Sequence, residues 1–284
     1  MSALRLGLIG DNIVRSRSPL LHKLAGKMCG IEVTYEALIP ADLKLDFDAV
    51  FERCRRNGYR GINITYPYKE RVVSKLAVEN QTVQLIGACN TVVFDSPRPR
   101  GLNTDFSGFI DAFRGVFGLA SPGVVAVIGA GGAGSAIAFA LAQLGAKSMR
   151  LFDVNRASAE RLARTIASTS KEIEVEVAML IGDAVKGADG LVNCTPLGMI
   201  GHNGTAIPSG LIRSQRWAFD AVYTPVETEF LVNARAAGLS IMSGYELFLY
   251  QGINAFRIFT GRDVDPAALR TALLEPTAEQ RMLA

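Results

Sequence analysis

The chain has 284 residues, of which 49% are hydrophobic and 20% charged, a balance that suits a folded protein with a sizeable core and excludes disordered, collagen-like and disulfide-dense classes. The formal net charge is +3 and the basic residues are scattered, apart from Arg53, Arg55 and Arg56, which read as a solvated helix face, so no nucleic-acid partner is expected. Cys29, Cys54, Cys89 and Cys194 lie far apart without C-x-x-C spacing, Met1–Gly10 has no secretory pattern, and no run of about 18 apolar residues occurs; reduced thiols, a cytoplasmic location, no metal site and no membrane span are the expectations.

Strand-like and helix-like segments alternate from the start. Leu4–Ile9 reads as a buried strand. Pro19–Cys29 has helical spacing of Leu20, Leu21, Leu24 and Met28. Val33–Leu38 reads as a strand, and Phe47–Asn57 as a helix ending at Gly58. Gly61–Thr65 is a third strand running into Pro67. Arg71–Ala77 is predicted helical, Cys89–Phe94 extended, and Ser96–Gly101 a turn. Asp105–Phe117 follows as a connecting helix. Then come a strand from Val124, helix Ser135–Leu144, strand Ser148–Phe152, helix Ser158–Thr169, strand Val175–Ala178 and a short helix Ala184–Gly187. Strands at Gly190–Cys194 and Trp217–Ala221 follow, and helical spacing runs from Gly244 through Phe248, Tyr250, Ile253 and Phe256. This alternation predicts an α/β fold of βαβ units with mainly parallel sheets.

Val124–Gly134 reads V-V-A-V-I-G-A-G-G-A-G, a β-branched run ending in a glycine turn that opens a helix. In that context G-x-G-x-x-G marks a dinucleotide site. Gly129 permits the tight turn, Gly131 lets the backbone approach a pyrophosphate, and Gly134 lets helix and strand pack closely. Ala130, Gly132 and Ala133 complete the phosphate-binding stretch at the helix N-terminus. Asp153, at the end of the next strand, has the spacing of an acid that holds ribose hydroxyls.

Outside this stretch there are two histidines. His22 sits among apolar neighbours and reads as structural, and His202 lies in a Gly/Asn-rich loop. A histidine-centred proton transfer is poorly supported, and a lysine is the next candidate. Several motifs carry chemistry: Ser16-Arg17-Ser18-Pro19, Asn63-Ile64-Thr65-Tyr66-Pro67-Tyr68-Lys69, Gly87-Ala88-Cys89-Asn90-Thr91, Asn103-Thr104-Asp105, Asn193-Cys194-Thr195-Pro196-Leu197-Gly198-Met199, Asp220-Ala221-Val222-Tyr223-Thr224-Pro225 with Thr228 and Leu231, and Gln251 on the last helix.

This ordered set resembles the shikimate dehydrogenase family, including its quinate/shikimate members, over roughly residues 4–262. The resemblance implies an N-terminal α/β substrate domain (1–104, completed by C-terminal helices in 241–284) and a Rossmann-type, doubly wound dinucleotide-binding domain (105–240), with a cleft between them. It implies Lys69 and Asp105 as the catalytic pair. Lys69 would exchange a proton with the substrate oxygen while Asp105 holds the ammonium and a substrate hydroxyl. Ser16 and Ser18 match carboxylate-binding hydroxyls, with Tyr223 nearby. Thr65, Asn90 and Gln251 match residues that bond the ring hydroxyls. Arg156, Thr195, Met199 and Gly244 join the cofactor set. Gly238 and Gly244, flanking the return to the first domain, are candidate hinge points.

Several positions depart from the family pattern. Many members carry an Asn-Arg-Thr/Ser loop for an NADP 2′-phosphate, whereas here the strand ends at Asp153 and an Asn155-Arg156 pair follows two residues on. A carboxylate there favours NAD and repels a 2′-phosphate; NADP stays open as the alternative. Arg15, Tyr66 and Ser243-Gly244-Tyr245-Glu246-Leu247 also differ from the usual residues, and Gly201–Pro208 looks like the NAD-using quinate/shikimate members. The expected activity is an oxidoreductase interconverting shikimate and 3-dehydroshikimate, with quinate and 3-dehydroquinate as a second pair. An aminoshikimate-type dehydrogenase and a non-catalytic metabolite sensor are the alternatives. The expected partner is a small cyclic hydroxy acid, and the expected assembly a monomer or homodimer.

Overall fold

The computed structural model describes residues 3–169 and 172–275. The chain forms two compact units. One comprises the residues up to Thr104 together with those from Leu249 onward, and the other is Asp105–Phe248.

The first unit is built on a five-stranded sheet of β1 (Leu4–Ile9), β2 (Val33–Leu38), β3 (Gly61–Ile64), β4 (Thr91–Val93) and β5 (Arg100–Leu102), in the order β2-β1-β3-β4-β5. β1 pairs parallel to β2 and β3, while β4 is antiparallel to both β3 and β5. The C-terminal ends of β1, β3 and β5 and the start of β4 therefore share one edge. Helix α1 (Ser18–Met28) has Pro19 in its first turn. α2 (Phe47–Arg56) is capped by Asp46, whose carboxylate accepts from Ala49 N–H, and Gly58 follows it in the left-handed region. Its apolar face, Phe47, Val50, Phe51 and Cys54, buries against Ile9, Ile62, Ile64 and Val92. Residues Arg71–Lys75 form a 3-10 turn rather than the longer helix expected.

The second unit holds β6 (Val124–Ile128), β7 (Ser148–Phe152), β8 (Glu174–Val177), β9 (Gly190–Asn193), β10 (Trp217–Asp220) and β11 (Ser240–Met242), ordered β11-β10-β9-β6-β7-β8 with every pair parallel. The order reverses between β6 and β9, the switch point at which doubly wound sheets bind ligands.

Five strands and α-helices lie outside the sequence expectation, besides a 3-10 turn at Ser209–Leu211. α3 (Gln81–Ile86) is short, and its Asn80 cap and Gly87 terminus carry more signal than its apolar spacing. β5 begins directly after Pro99, inside a stretch that reads as a turn. α8 (Glu229–Ala236) starts at Thr228, which accepts from Leu231 N–H. β11 is three residues long. α10 (Pro266–Leu274) is announced by an Asp265 cap and Pro266. α4 (Thr104–Phe117) and α6 (Arg156–Thr169) begin one and two residues before expectation. α5 (Gly132–Gln143) starts three residues early, so Gly132, Ala133 and Gly134 lie in its first turn rather than in a preceding loop.

The expected return to the first domain at residue 241 is also corrected. β11 pairs with β10 in the second sheet, and the next helix, α9 (Gly244–Thr260), is continuous, so the division falls inside it, between Phe248 and Leu249.

Candidate functional site

Each unit gathers its motif residues at one edge of its sheet. In the first unit the segment after β1 carries Ser16 and Ser18. Ser16 Oγ donates to Ser18 Oγ at 3.1 Å and accepts from Ser18 N–H at 3.3 Å, so two hydroxyls cluster at the start of α1. After β3, Thr65 N–H donates to Ile9 O and Tyr68 N–H to Thr65 O, a tight turn containing a cis Tyr66–Pro67 bond. Lys69 follows, half-buried, its carbonyl accepting from Cys89 N–H at 2.9 Å. The turn thus sits beside the segment that leads into Asn90.

Asn90 is buried. Its Oδ1 accepts Thr104 N–H at 2.7 Å, Thr104 Oγ1 at 3.1 Å and Thr91 Oγ1 at 3.1 Å. The Thr104 backbone donor identifies that atom as the oxygen. Asn63 supports the arrangement, accepting from Tyr35 Oη at 2.9 Å and donating to Asn90 O at 3.2 Å. Gln251 lies on α9, next to Gly252, where an added Cβ would meet Leu21 of α1 at 2.6 Å. His22 is structural as expected: it is buried, stacks on Tyr35 with centroids 4.8 Å apart, and burial drives its pKa down to about 3.

In the second unit the fingerprint has the geometry its glycines imply. Gly129 adopts φ +103°, and a Cβ there would lie 2.9 Å from the Cys194 carbonyl carbon. A Cβ on Gly134 would lie 2.0 Å from Gly129 O. Around Gly131, the N-cap of α5, a Cβ would meet nothing within 4 Å, so the helix N-terminus faces open space beside Ala130 and Gly132. β7 ends at Phe152, which puts Asp153 directly after the strand. Its Oδ2 accepts Ala130 N–H at 2.6 Å and its Oδ1 accepts Asn155 N–H at 2.7 Å. Each oxygen keeps a further lone pair able to accept. Arg156 is exposed, paired with Glu160 at 2.7 Å and in contact with Met179 Sδ, a weak surface pairing.

The loop after β9 holds Thr195 and Met199. Thr195 donates through N–H (2.9 Å) and Oγ1 (2.7 Å) to Asn193 Oδ1, and Met199 N–H donates to Pro196 O. After β10, Tyr223 stacks on Phe248 at 5.1 Å. Gly244 packs so closely that a Cβ would lie 2.5 Å from Val222 O, and Gly238 is the left-handed residue after α8. Gly244 thus makes a packing contact and Gly238 a helix terminus. Asp105 is buried in the first turn of α4, where the helix dipole favours a carboxylate.

Asn193 and Asp220 lie in motif segments without a role of their own in the sequence reading. Both end apolar strands and are fully buried, and the polar residue closing each run was the available signal. Among the described residues, no His/Cys/Asp/Glu group is placed to hold a metal, and no helix is long and apolar enough to cross a membrane.

Residues 8–92 match the family model described as the shikimate dehydrogenase substrate binding domain, and residues 244–274 match the shikimate 5'-dehydrogenase C-terminal domain. Residues 119–200 match the ornithine cyclodeaminase/mu-crystallin family model. The chain is 36% identical to a shikimate dehydrogenase (NADP(+)) of Pseudarthrobacter chlorophenolicus, over 98% of this chain and 97% of the relative. It is 34% identical to a quinate/shikimate dehydrogenase (NAD(+)) of Corynebacterium efficiens, over 95% and 97%. Among solved structures, quinate dehydrogenase from Corynebacterium glutamicum in complex with NAD superposes with a TM-score of 0.87 at 34% identity, covering 96% of this chain and 99% of that one.

Proposed function

The chain belongs to the shikimate dehydrogenase family, and on that premise we propose that it is an NAD-preferring oxidoreductase interconverting shikimate and 3-dehydroshikimate, with quinate and 3-dehydroquinate as a second pair. The observation that carries the cofactor preference is Asp153, placed at the end of β7 and bonded to the glycine turn. An acceptor there bonds the 2′- and 3′-hydroxyls of NAD and repels the phosphate of NADP. The relatives are named for both cofactors, so the preference rests on this residue.

NAD, when bound, supplies the hydride acceptor. Gly129–Gly134 present a helix N-terminus to its phosphates, with Thr195, Met199 and Gly244 toward its nicotinamide end and Arg156 near the ribose. Ser16, Ser18 and Tyr223 hold the substrate carboxylate through neutral hydroxyls. Thr65, the Asn90 amide and Gln251 hold the ring hydroxyls, so analogues lacking them leave polar groups unpaired. Lys69 takes the proton of the hydroxyl being oxidised and returns it in the reverse direction, and Asp105 orients that ammonium.

Initial rates read from the absorbance of the reduced nicotinamide, crossing shikimate and quinate with NAD and NADP, test the proposal. Turnover of shikimate with NAD and slower turnover with NADP is expected. Turnover confined to NADP would overturn the role of Asp153. Inactivity in every combination, with aminoshikimate turned over instead, would overturn the substrate.

A further inference from the structure

Asp220 is a fully buried carboxylate that the chemistry above does not use. Among the described residues it makes no ion pair, and its partners are all neutral donors. Oδ1 accepts Asn193 Nδ2 at 2.9 Å and Val222 N–H at 3.0 Å, and Oδ2 accepts Thr228 Oγ1 at 2.6 Å. A buried charge without a cation is costly, and burial pushes this carboxyl up to about 6. A carboxylate retained under that penalty invites a role that a neutral side chain could not fill.

The role follows from donor and acceptor identity. An ionised carboxylate only accepts. Asn193 must therefore turn its NH2 toward Asp220, and from that orientation it also donates to Leu197 O at 3.2 Å. Its carbonyl is then left to receive both Thr195 N–H and Thr195 Oγ1. Thr228 must likewise spend its proton on Asp220, leaving a lone pair to cap α8 through Leu231 N–H at 3.3 Å. One acceptor thus sets the direction of bonds reaching the loop after β9 and the loop after β10, which Ile200 N–H joins by donating to Thr224 O.

We propose that Asp220 is a positioning residue whose acceptor-only carboxylate holds the Thr195–Met199 loop in the conformation that receives the nicotinamide end of the dinucleotide, an inference that rests on the assignment of that loop to the cofactor. Asp220→Asn keeps size and shape, but Val222 N–H holds its oxygen in the Oδ1 place, so its NH2 meets Thr228 Oγ1; Thr228 must then reverse its bond, and the carboxylate's hold on the loops after β9 and β10 is weakened.

Fluorescence titration of the full chain with NADH, beside urea unfolding, tests it. Asp220→Asn should bind NADH about tenfold more weakly, while its urea midpoint at neutral pH is unchanged or higher because no charge is buried. A purely structural residue would lower both together. Thr228→Ser keeps the hydroxyl and should bind within about twofold of wild type, whereas Thr228→Val should lose about fivefold or more; this pair decides the matter if Asp220→Asn does not fold. NADH affinity of folded Asp220→Asn within twofold of wild type, equal affinities of the two Thr228 variants, or weakening that tracks a falling midpoint would overturn the inference. Thr195→Ala separates the premise: unchanged NADH affinity there removes the loop from the cofactor site, while weakened binding there with unaltered Asp220→Asn overturns the role of Asp220 alone.

Discussion

Acidification sets two buried titratable side chains against each other. Burial lowers the His22 pKa from 6.5 to about 3, so the folded protein keeps a neutral imidazole where the unfolded chain takes up a proton. Stability from this residue is present above 6.5 and falls as the pH drops from there toward 3. Asp220 has the opposite sign. Burial raises its pKa from 3.8 to about 6, so its contribution is complete below 3.8 and is lost as the pH rises through about 6. Between pH 7 and pH 5 these values give about 2 kcal/mol lost at His22 and about 1 kcal/mol gained at Asp220. Urea unfolding followed by far-UV circular dichroism, at both pH values, reads the terms out. Relative to wild type, His22→Gln should be less acid-sensitive by about 2 kcal/mol, and Asp220→Asn more acid-sensitive by about 1 kcal/mol. Exposed carboxylates common to all three proteins cancel in these differences. A variant whose pH response matches wild type would refute the linkage for that residue.

Lys69→Ala should lower kcat by about a hundredfold or more while substrate KM changes by less than about threefold; near wild-type turnover would remove Lys69 from the chemistry. Asp153→Ala should weaken NAD and improve NADP relative to it, shifting the NAD/NADP ratio of kcat/KM by about tenfold or more, and an unchanged ratio would show that Asp153 does not read the ribose. Gly134→Ala places a methyl group 2.0 Å from Gly129 O, so the turn must shift. NADH affinity should fall at least about tenfold, and titration within twofold of wild type would show that the turn yields freely.

In the second unit β6, β9 and β10 were legible because they are buried along almost their whole length and appear as continuous apolar runs, whereas β7 alternates. β1, β2 and β7 have the bounds expected from sequence. Gly129 and Gly134 of the fingerprint were legible because each answers a steric demand that only glycine meets. The missed elements are short ones specified by partners distant in sequence. β5 exists because Gly101 pairs with Val92, and a Cβ on Gly101 would meet Leu76 and Cys89. β11 is held by register with Trp217–Phe219. Asn193 and Asp220 were visible as letters, but their importance lies in hydrogen-bond direction across two strands, which periodicity does not encode.

The discontinuity of the first unit also has a temporal side. Residues up to Thr104 emerge from the ribosome before the second unit, yet part of their core is supplied from beyond Leu249. Phe256 and Phe259 lie 6.2 and 5.9 Å from His22, and a Cβ on Gly61 would meet Phe259. The dinucleotide unit, Asp105–Phe248, is complete in the nascent chain before the part of α9 from Leu249 onward and α10 appear. During synthesis the first unit therefore waits with its apolar interior unsealed while the second closes, exposed to chaperones and to aggregation until α9 and α10 arrive.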